Sequence, residues 1–350
     1  MSGKLIRINS RKGYSQLLKH FDNYHLLQSA LWYKIKQLNH EPVLAFAWFR
    51  EGSGNKIETP LFITKLIQIK ALKKIVIFAA PFGPVVDFSQ KPTDEDLAEF
   101  AYALSDELAE YHPAAIHFNP FSLDVKDNRT LEALLRSCKE LVPGRPLAYQ
   151  PGDGTITFDT SGPPEQGLLP HFREDTRYNI KRAEREHALD ISTTDQPEAL
   201  SSFWTLYKKA QERIGFVSDR KDIYENALKD KAALLFLAKD KRSGTLLSGI
   251  LAILFKEQST LITLVSATGP EGNKLRAPSL LRWRLFEWAH QNGFKRVDFF
   301  SLRRETKGYT FFKLGFGDNP LWYNTPYVYV VNKPLYRLYA LYEKVHHKNN

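Results

Sequence analysis

The sequence predicts a mixed α/β (α+β) protein built from two similar halves, and three observations carry that reading. Short runs rich in branched and aromatic residues alternate with amphipathic stretches along the whole chain. A Pro- and Gly-rich stretch at 142–154 (VPGRPLAYQPGDG) interrupts the alternation, after which the same alphabet starts again. The length, 350 residues, suits two domains. Hydrophobic residues make up 43% and charged residues 25%, an ordinary globular usage that excludes wholesale disorder.

In the first half, residues 43–50 (VLAFAWFR) and 75–79 (IVIFA) read as strands. Residues 94–111 read as a helix: Leu97, Phe100, Leu104 and Leu108 recur at helical spacing, and acidic residues fill the first turn. Ala115–Phe118 reads as a short strand closed by Asn119-Pro120, and a helix follows at about 129–140. Beyond the interruption, Thr155–Phe158 is a strand, 168–187 a long helix, Leu189–Thr193 a strand, and 198–214 and 220–229 helices. Strands at about 233–239, 246–255 and 259–266 are joined by hairpin-like connections, KDKRSG and KEQS. A helix at about 279–292, a strand at 296–300, a short helix at 308–314, a strand at about 326–331 and a C-terminal helix (LYRLYALYEKVHH) complete the chain.

Charge and cysteine content narrow the classes of function. Lys and Arg exceed Asp and Glu by 49 to 39, a formal net charge of +10. Such a surplus serves either an anionic partner or solubility alone. The one cysteine, Cys138, allows neither an intrachain disulfide nor a cysteine-based zinc site, and suits a reducing compartment. The N-terminus has no apolar signal core, and no run approaches a membrane span, so a cytoplasmic protein is expected. There is no G-x-S-x-G, H-E-x-x-H or Walker A string. The ten histidines show no metal spacing, and His346-His347 reads as surface, so no metal is expected. Aromatics sit at core-like positions rather than on a base-stacking platform.

Four segments hold candidate chemistry. On 168–187, Arg173, Arg177, Lys181 and Arg185 lie four apart and form one basic stripe, while Phe172, Ile180 and Ala183 face elsewhere and can pack inward. The stripe is either a phosphate contact or a solvated face paired with Asp175, Glu184 and Glu186. Arg220 and Tyr224 share a helix face and could orient a sugar or phosphate, or pack as a surface pair. The loop 269–274 (GPEGNK) connects a strand to a helix where a CoA-using acetyltransferase keeps a glycine-rich pyrophosphate loop, but the required glycines are missing, which argues against CoA. Finally, 308–317 (GYTFFKLGFG) places Lys313 beside Phe312. Lys313 is either a cation for a developing oxyanion or an exposed lysine whose stem covers Phe312.

The second half, a meander followed by strand, helix and strand, resembles an N-acetyltransferase-like (GNAT) unit, and the first half resembles a degenerate copy of it. Six segments in order resemble the Fem-type (FemXAB) peptidoglycan bridge aminoacyltransferases. Leu27–Lys36 (LQSALWYKIK) is similar to Q-S-x-x-W-x-x-[VI]-K, and Phe82–Asp87 (FGPVVD) to G-P-x-x-D. Arg177–Ala183 (RYNIKRA) is similar to R-x-N-I-[RK]-x-A. Arg213–Phe216 with Arg220 and Tyr224 resembles R-x-G-F and R-x-x-x-Y. Ala277–Trp283 resembles A-P-x-x-L-x-W, and Phe312–Gly317 (FKLGFG) matches F-K-x-G-F-G.

This resemblance implies two GNAT-like domains in tandem with the C-terminal segment returning to the first: 1–150 with 321–350, and 151–320. It implies transfer of an amino acid from aminoacyl-tRNA to an amine of the peptidoglycan stem peptide, on UDP-MurNAc-pentapeptide or lipid II, with no cofactor. By motif match, Lys36, Arg220 and Tyr224 would bind the acceptor, and Lys313 with Phe312 would form the transfer centre. The stripe Arg173, Arg177, Lys181 and Arg185 would meet tRNA, and the basic surface would also suit an anionic membrane face. No strong general base stands out; Asp298 is a weak candidate.

Three departures keep other readings open. Y-x-Y-G-S is replaced by Leu261–Ser266 (LITLVS), Y-D-F-x-G by Val297–Ser301 (VDFFS), and the acid of I-x-x-D-P by Asn119. They are compatible with N-acyl transfer to another amine, as in polysaccharide or amino-sugar modification, or with a non-catalytic RNA- or membrane-surface-binding protein.

Overall fold

The computed structural model describes residues 3–50, 59–71, 74–145, 152–186, 188–214, 220–304, 307–317 and 319–346. The chain forms two compact units, Met1–Gln150 with Tyr323–Asn350, and Pro151–Trp322. Part of the Pro/Gly-rich stretch (146–151), Gly215-Phe216 of the R-x-G-F segment, and His347 lie outside the described residues.

The first unit is built on strands β1 (Gly3–Arg7), β2 (Leu44–Arg50), β3 (Phe62–Ala71), β4 (Ile75–Phe82), β5 (Val85–Val86), β6 (Pro113–Pro120) and β7 (Leu141–Pro143). The late strand Tyr327–Val330 inserts between β6 and β7, giving the order β1-β2-β3-β4-β6-(327–330)-β7 with β5 against β3. Neighbours run antiparallel except β4 and β6, which are parallel from Val76–Pro113 to Phe82–Pro120. Helices α1 (Arg11–Leu18), α2 (Ala30–Leu38), α3 (Asp94–Glu107) and α4 (Val125–Ser137) pack on this sheet with the C-terminal helix Lys333–His346.

Helix α3 is set by its sequence. Thr93 and Asp96 make a reciprocal capping box, and Asp94, Glu95 and Asp96 complement the positive end of the helix. All four of its periodic apolar residues, Leu97, Phe100, Leu104 and Leu108, are buried against Phe46, Trp48, Phe62, Phe78 and Phe118.

The second unit carries β8 (Gly154–Thr155), β9 (Thr157–Asp159), β10 (Leu189–Thr194), β11 (Ala233–Asp240), β12 (Leu246–Phe255), β13 (Thr260–Thr268) and β14 (Arg296–Asp298). The main sheet has the order β10-β11-β12-β13-β14-β9, and β8 pairs with Leu321–Trp322. Here too an antiparallel meander ends in one parallel pair, β13 with β14. The helices are α5 (Pro164–Gly167), α6 (Glu174–Glu186), α7 (Leu200–Ile214), α8 (Lys221–Lys229), α9 (Pro270–Lys274), α10 (Ala277–Gln291) and α11 (Lys307–Leu314). Helices α6 and α10 share one core with β9, β11, β12 and β14. Helix α7 seats Phe203 over Gly249 of β12, where an added Cβ would lie 2.5 Å from the ring.

The expected helix at 168–187 is interrupted. A 3-10 turn at Leu169–His171 separates α5 from α6, which starts only at Glu174. Pro170 is the reason: it offers no N–H and disfavours a helical residue before it. The loop expected at 269–274 is instead the short helix α9, followed by Arg276 in the left-handed region. Among the described residues no helix is long and apolar enough to cross a membrane, and no group of three or more His, Cys, Asp or Glu is arranged to hold a metal ion.

Candidate functional site

In the second unit β13 and β14 pair only through Thr260–Arg296, Leu261–Val297 and Ile262–Asp298. Beyond that point they part. The rest of β13 follows β12, with Leu264 skipped in the register, a bulge of the kind that bends and re-aims a strand. The chain after β14 turns away through Phe299–Ser301, and Leu302 bridges Gly154. Side chains from α10 and α11 reach into this divergence.

Lys313 is one of them. The sequence alternatives placed it either free beside a reacting centre or exposed over Phe312. It is in fact 1% exposed, and its Nζ donates to Phe299 O at 2.6 Å and Ser301 O at 2.5 Å. The Tyr309 ring lies 4.3 Å from Nζ. Burial holds the ammonium well below the usual lysine range, the nearby Arg282 adds to this, and Asp298 opposes it. Phe312 is half-buried and packs edge-on to Phe316.

Asp298 ends β14 and is buried. Its carboxylate accepts from the Thr155 hydroxyl and from Phe300 N–H at 2.6 Å. Burial pushes its pKa up, against those bonds and the Lys313 charge. Phe300 sits at φ 61, costly for a bulky residue. Its turn is held on one side by Asp298 and on the other by Lys313.

Arg282 went unnoticed in the sequence. It lies on α10 at 3% exposure, with its guanidinium carbon 5.2 Å from the Phe299 ring and 4.9 Å from the Phe312 ring. Its Nη2 donates to Ser266 Oγ on the diverging part of β13 at 3.3 Å. Burial brings its pKa down to about 10, partly offset by Tyr309. A signal was present: Arg282 shares its helical face with Ser279, Phe286 and Ala289, all buried, so a charge there had to point inward.

Lys36 is in the last turn of α2 in the first unit and pairs with Glu41 at 2.6 Å. Arg220 caps α8 and lies 3.6 Å from Asp222. Tyr224 is buried in α8, its ring 5.7 Å from that of Trp204. Of the basic stripe, Arg173 precedes α6, chelates Asp175, lies 3.7 Å over the Phe311 ring, and donates its backbone N–H to Gly315 O at 2.8 Å. Arg177 donates to Pro170 O at 3.0 Å and to Phe172 O. Both side chains therefore organise the start of α6. Lys181 and Arg185 are exposed. The inward face holds as expected, with Phe172, Ile180 and Ala183 all buried.

Residues 170–314 match the family model described as an acetyltransferase (GNAT) domain, and this match supports acyl transfer as the reaction class. No curated protein sequence matches the chain. Among solved structures, one of FemX superposes with a TM-score of 0.73 at 17% identity, covering 96% of this chain and 99% of that one. The C-terminal domain of a putative lysylphosphatidylglycerol synthetase from Agrobacterium fabrum gives a TM-score of 0.56 at 12% identity, covering 95% and 97%. A tandem GNAT protein from the clavulanic acid biosynthesis pathway gives 0.57 at 10%, covering 93% and 98%. The chain thus has the tandem GNAT-like fold shared with FemX, and the match to the acetyltransferase (GNAT) model falls within its second unit.

Proposed function

We propose that the chain is an aminoacyltransferase of the Fem type, moving an amino acid from aminoacyl-tRNA to an amine of the peptidoglycan stem peptide, carried on UDP-MurNAc-pentapeptide or lipid II, in interpeptide bridge formation. The observation that supports this most is Lys313: the lysine of the F-K-x-G-F-G segment is buried where β13 and β14 part, held by two carbonyls beside a second cation, Arg282.

The chemistry suits those residues. A tRNA ester is already an activated acyl donor, so the enzyme has to align a neutral amine with its carbonyl carbon. The amine nitrogen bonds to that carbon, the carbonyl oxygen takes up negative charge, and the ester C–O bond then breaks as the amine proton passes to the departing ribose oxygen. The Nζ of Lys313, fixed in place as an N–H donor, stabilises the oxyanion, and does so most in a place shielded from water. Asp298 is occupied by Thr155 and Phe300, so in this reading it fixes the turn rather than acting as the base. Phe312 walls the transfer centre, and Lys36, Arg220 and Tyr224 hold the acceptor. Lys181 and Arg185 are the part of the basic stripe left for tRNA phosphates, and the net charge of +10 favours such a partner, or transient contact with the inner membrane face.

A second reading, N-acyl transfer to another amine, has an altered wall in its favour: Ser301, one of the departures from the Fem pattern, borders Lys313. One experiment separates the two. The protein is incubated with a mixed aminoacyl-tRNA pool and UDP-MurNAc-pentapeptide, and products are read by mass spectrometry. The expected result is a precursor heavier by one amino-acid residue that disappears when the pool is treated with ribonuclease. Acceptor binding by calorimetry with no heavier product would favour the second reading.

A further inference from the structure

A guanidinium buried away from water is costly unless an anion or a full set of acceptors compensates it. Arg282 has neither. Among the described residues its one hydrogen bond is Nη2 to Ser266 Oγ, and Nε is buried with no acceptor. No carboxylate of the described residues pairs with it. Asp298, the buried acid of this region, is engaged by Thr155 and Phe300 N–H, and the other charged group close by, Lys313, repels it. Among the described residues, two basic side chains are thus held in one apolar place where the buried acid, Asp298, is already used. The flanking faces of Phe299 and Phe312 fix the position of the guanidinium and exclude a large, strongly hydrated anion. A planar fork between aromatic faces suits a planar carboxylate, which it can bind through two parallel N–H donors.

We propose that Arg282 is a substrate-binding residue that receives a carboxylate group of the substrate in the divergence between β13 and β14. The assignment to a substrate rests on the transfer reading above; the affinity for a carboxylate does not. Under that reading the carboxylate belongs to the acceptor, because the donor's own carboxyl is esterified to tRNA. Arg282 would then set which acceptors fit, while Lys313 acts on the reacting carbonyl.

The test uses the full chain, labelled with 15N, and sodium acetate as the probe. Arginine Nε–H resonances are followed during titration, with sodium chloride at equal ionic strength and acetamide as controls, and the Arg282 signal is assigned by its loss in Arg282→Met. The expected result is a saturable shift of that one resonance with acetate alone. By calorimetry, acetate should bind more weakly by about tenfold or more in both Arg282→Met and Arg282→Lys, since lysine keeps the charge and loses the fork. Arg282→Lys also supplies the answer if the methionine variant does not fold. No shift with acetate, an equal shift with chloride, or unchanged affinity in a folded variant overturns the proposal. The transfer assay is independent of this titration. Acetate binding without transfer removes the aminoacyltransferase reading and leaves the carboxylate site; transfer without acetate binding removes the site alone.

Discussion

Lys313 donates to the carbonyls of Phe299 and Ser301, which ties a residue proposed for chemistry to a strained turn. The motif around it was readable because F-K-x-G-F-G is local in sequence. Its burial was not, because Phe299 and Ser301, whose carbonyls it meets, come from a separate segment after β14. Two buried histidines of the first unit give a test at the same scale. His25 Nδ1 accepts from Leu27 N–H at 3.2 Å, and its pKa is lowered to about 3 by burial and by Lys65. His117, on β6 between Tyr336 and Tyr339, is lowered to about 4 by burial. Both are neutral when folded, and both return toward 6.5 on unfolding. The unfolded chain therefore binds more protons below pH 6.5, so this stability is complete above 6.5 and is lost as the pH falls toward 4 and then 3. For His117 the loss is on the order of 3 kcal/mol by pH 4. Replacing His117 with Gln should flatten the fall of Tm between pH 6.5 and 4, and an unchanged slope would show that His117 is not the group responsible.

Among the elements, helix α3 was legible and strand β3 was not. The helix expected at 94–111 is α3 with a 3-10 turn after it, because one stripe of leucine and phenylalanine suffices to define it. Strand β3 shows no alternation: its first five residues are all buried, and Thr64 and Lys65 are among them, so polar residues where a core was required concealed it. Helix α6 was overextended because Leu168, Leu169 and Phe172 keep an apolar helical spacing across Pro170, whereas the backbone cannot stay α-helical there. Helix α11 offers a comparison within one element. A Cβ at Gly315, just past its end, would lie 2.3 Å from Thr176 Oγ1, whereas a Cβ at Gly308 meets nothing within 4 Å. Gly315→Ala should push α11 off α6, displace Lys313, and lower both Tm and transfer. Gly308→Ala should stabilise the protein by about 0.5–1 kcal/mol with transfer retained. Thermal melts and product formation on the two variants check this, and equal behaviour would contradict the seating of α11 on Thr176.

At the scale of the molecule, each unit ends a meander in a parallel strand pair, which is why strands alternating with helices could be read as a repeated α/β pattern. The two pairs then differ. In the first unit β4 and β6 stay in register to Phe82 and Pro120. In the second unit β13 and β14 part after Ile262 and Asp298, and side chains fill the gap that backbone pairing leaves. That difference follows from the bulge at Leu264 and the turn at Phe300, neither of which has a sequence signal of its own. The proposed function therefore places acyl transfer in the second unit and gives Lys313 the role of stabilising the transition state. The measurement that tests this most directly is the steady-state rate of aminoacyl transfer to UDP-MurNAc-pentapeptide by Lys313→Ala beside the wild type, with the Tm of both recorded so that unfolding is recognised. A fall in kcat of about 100-fold or more, with KM for the acceptor changed less than about threefold, is the result expected of a group that acts in the transition state. A raised KM with kcat unchanged would place Lys313 in ground-state binding and contradict the assignment.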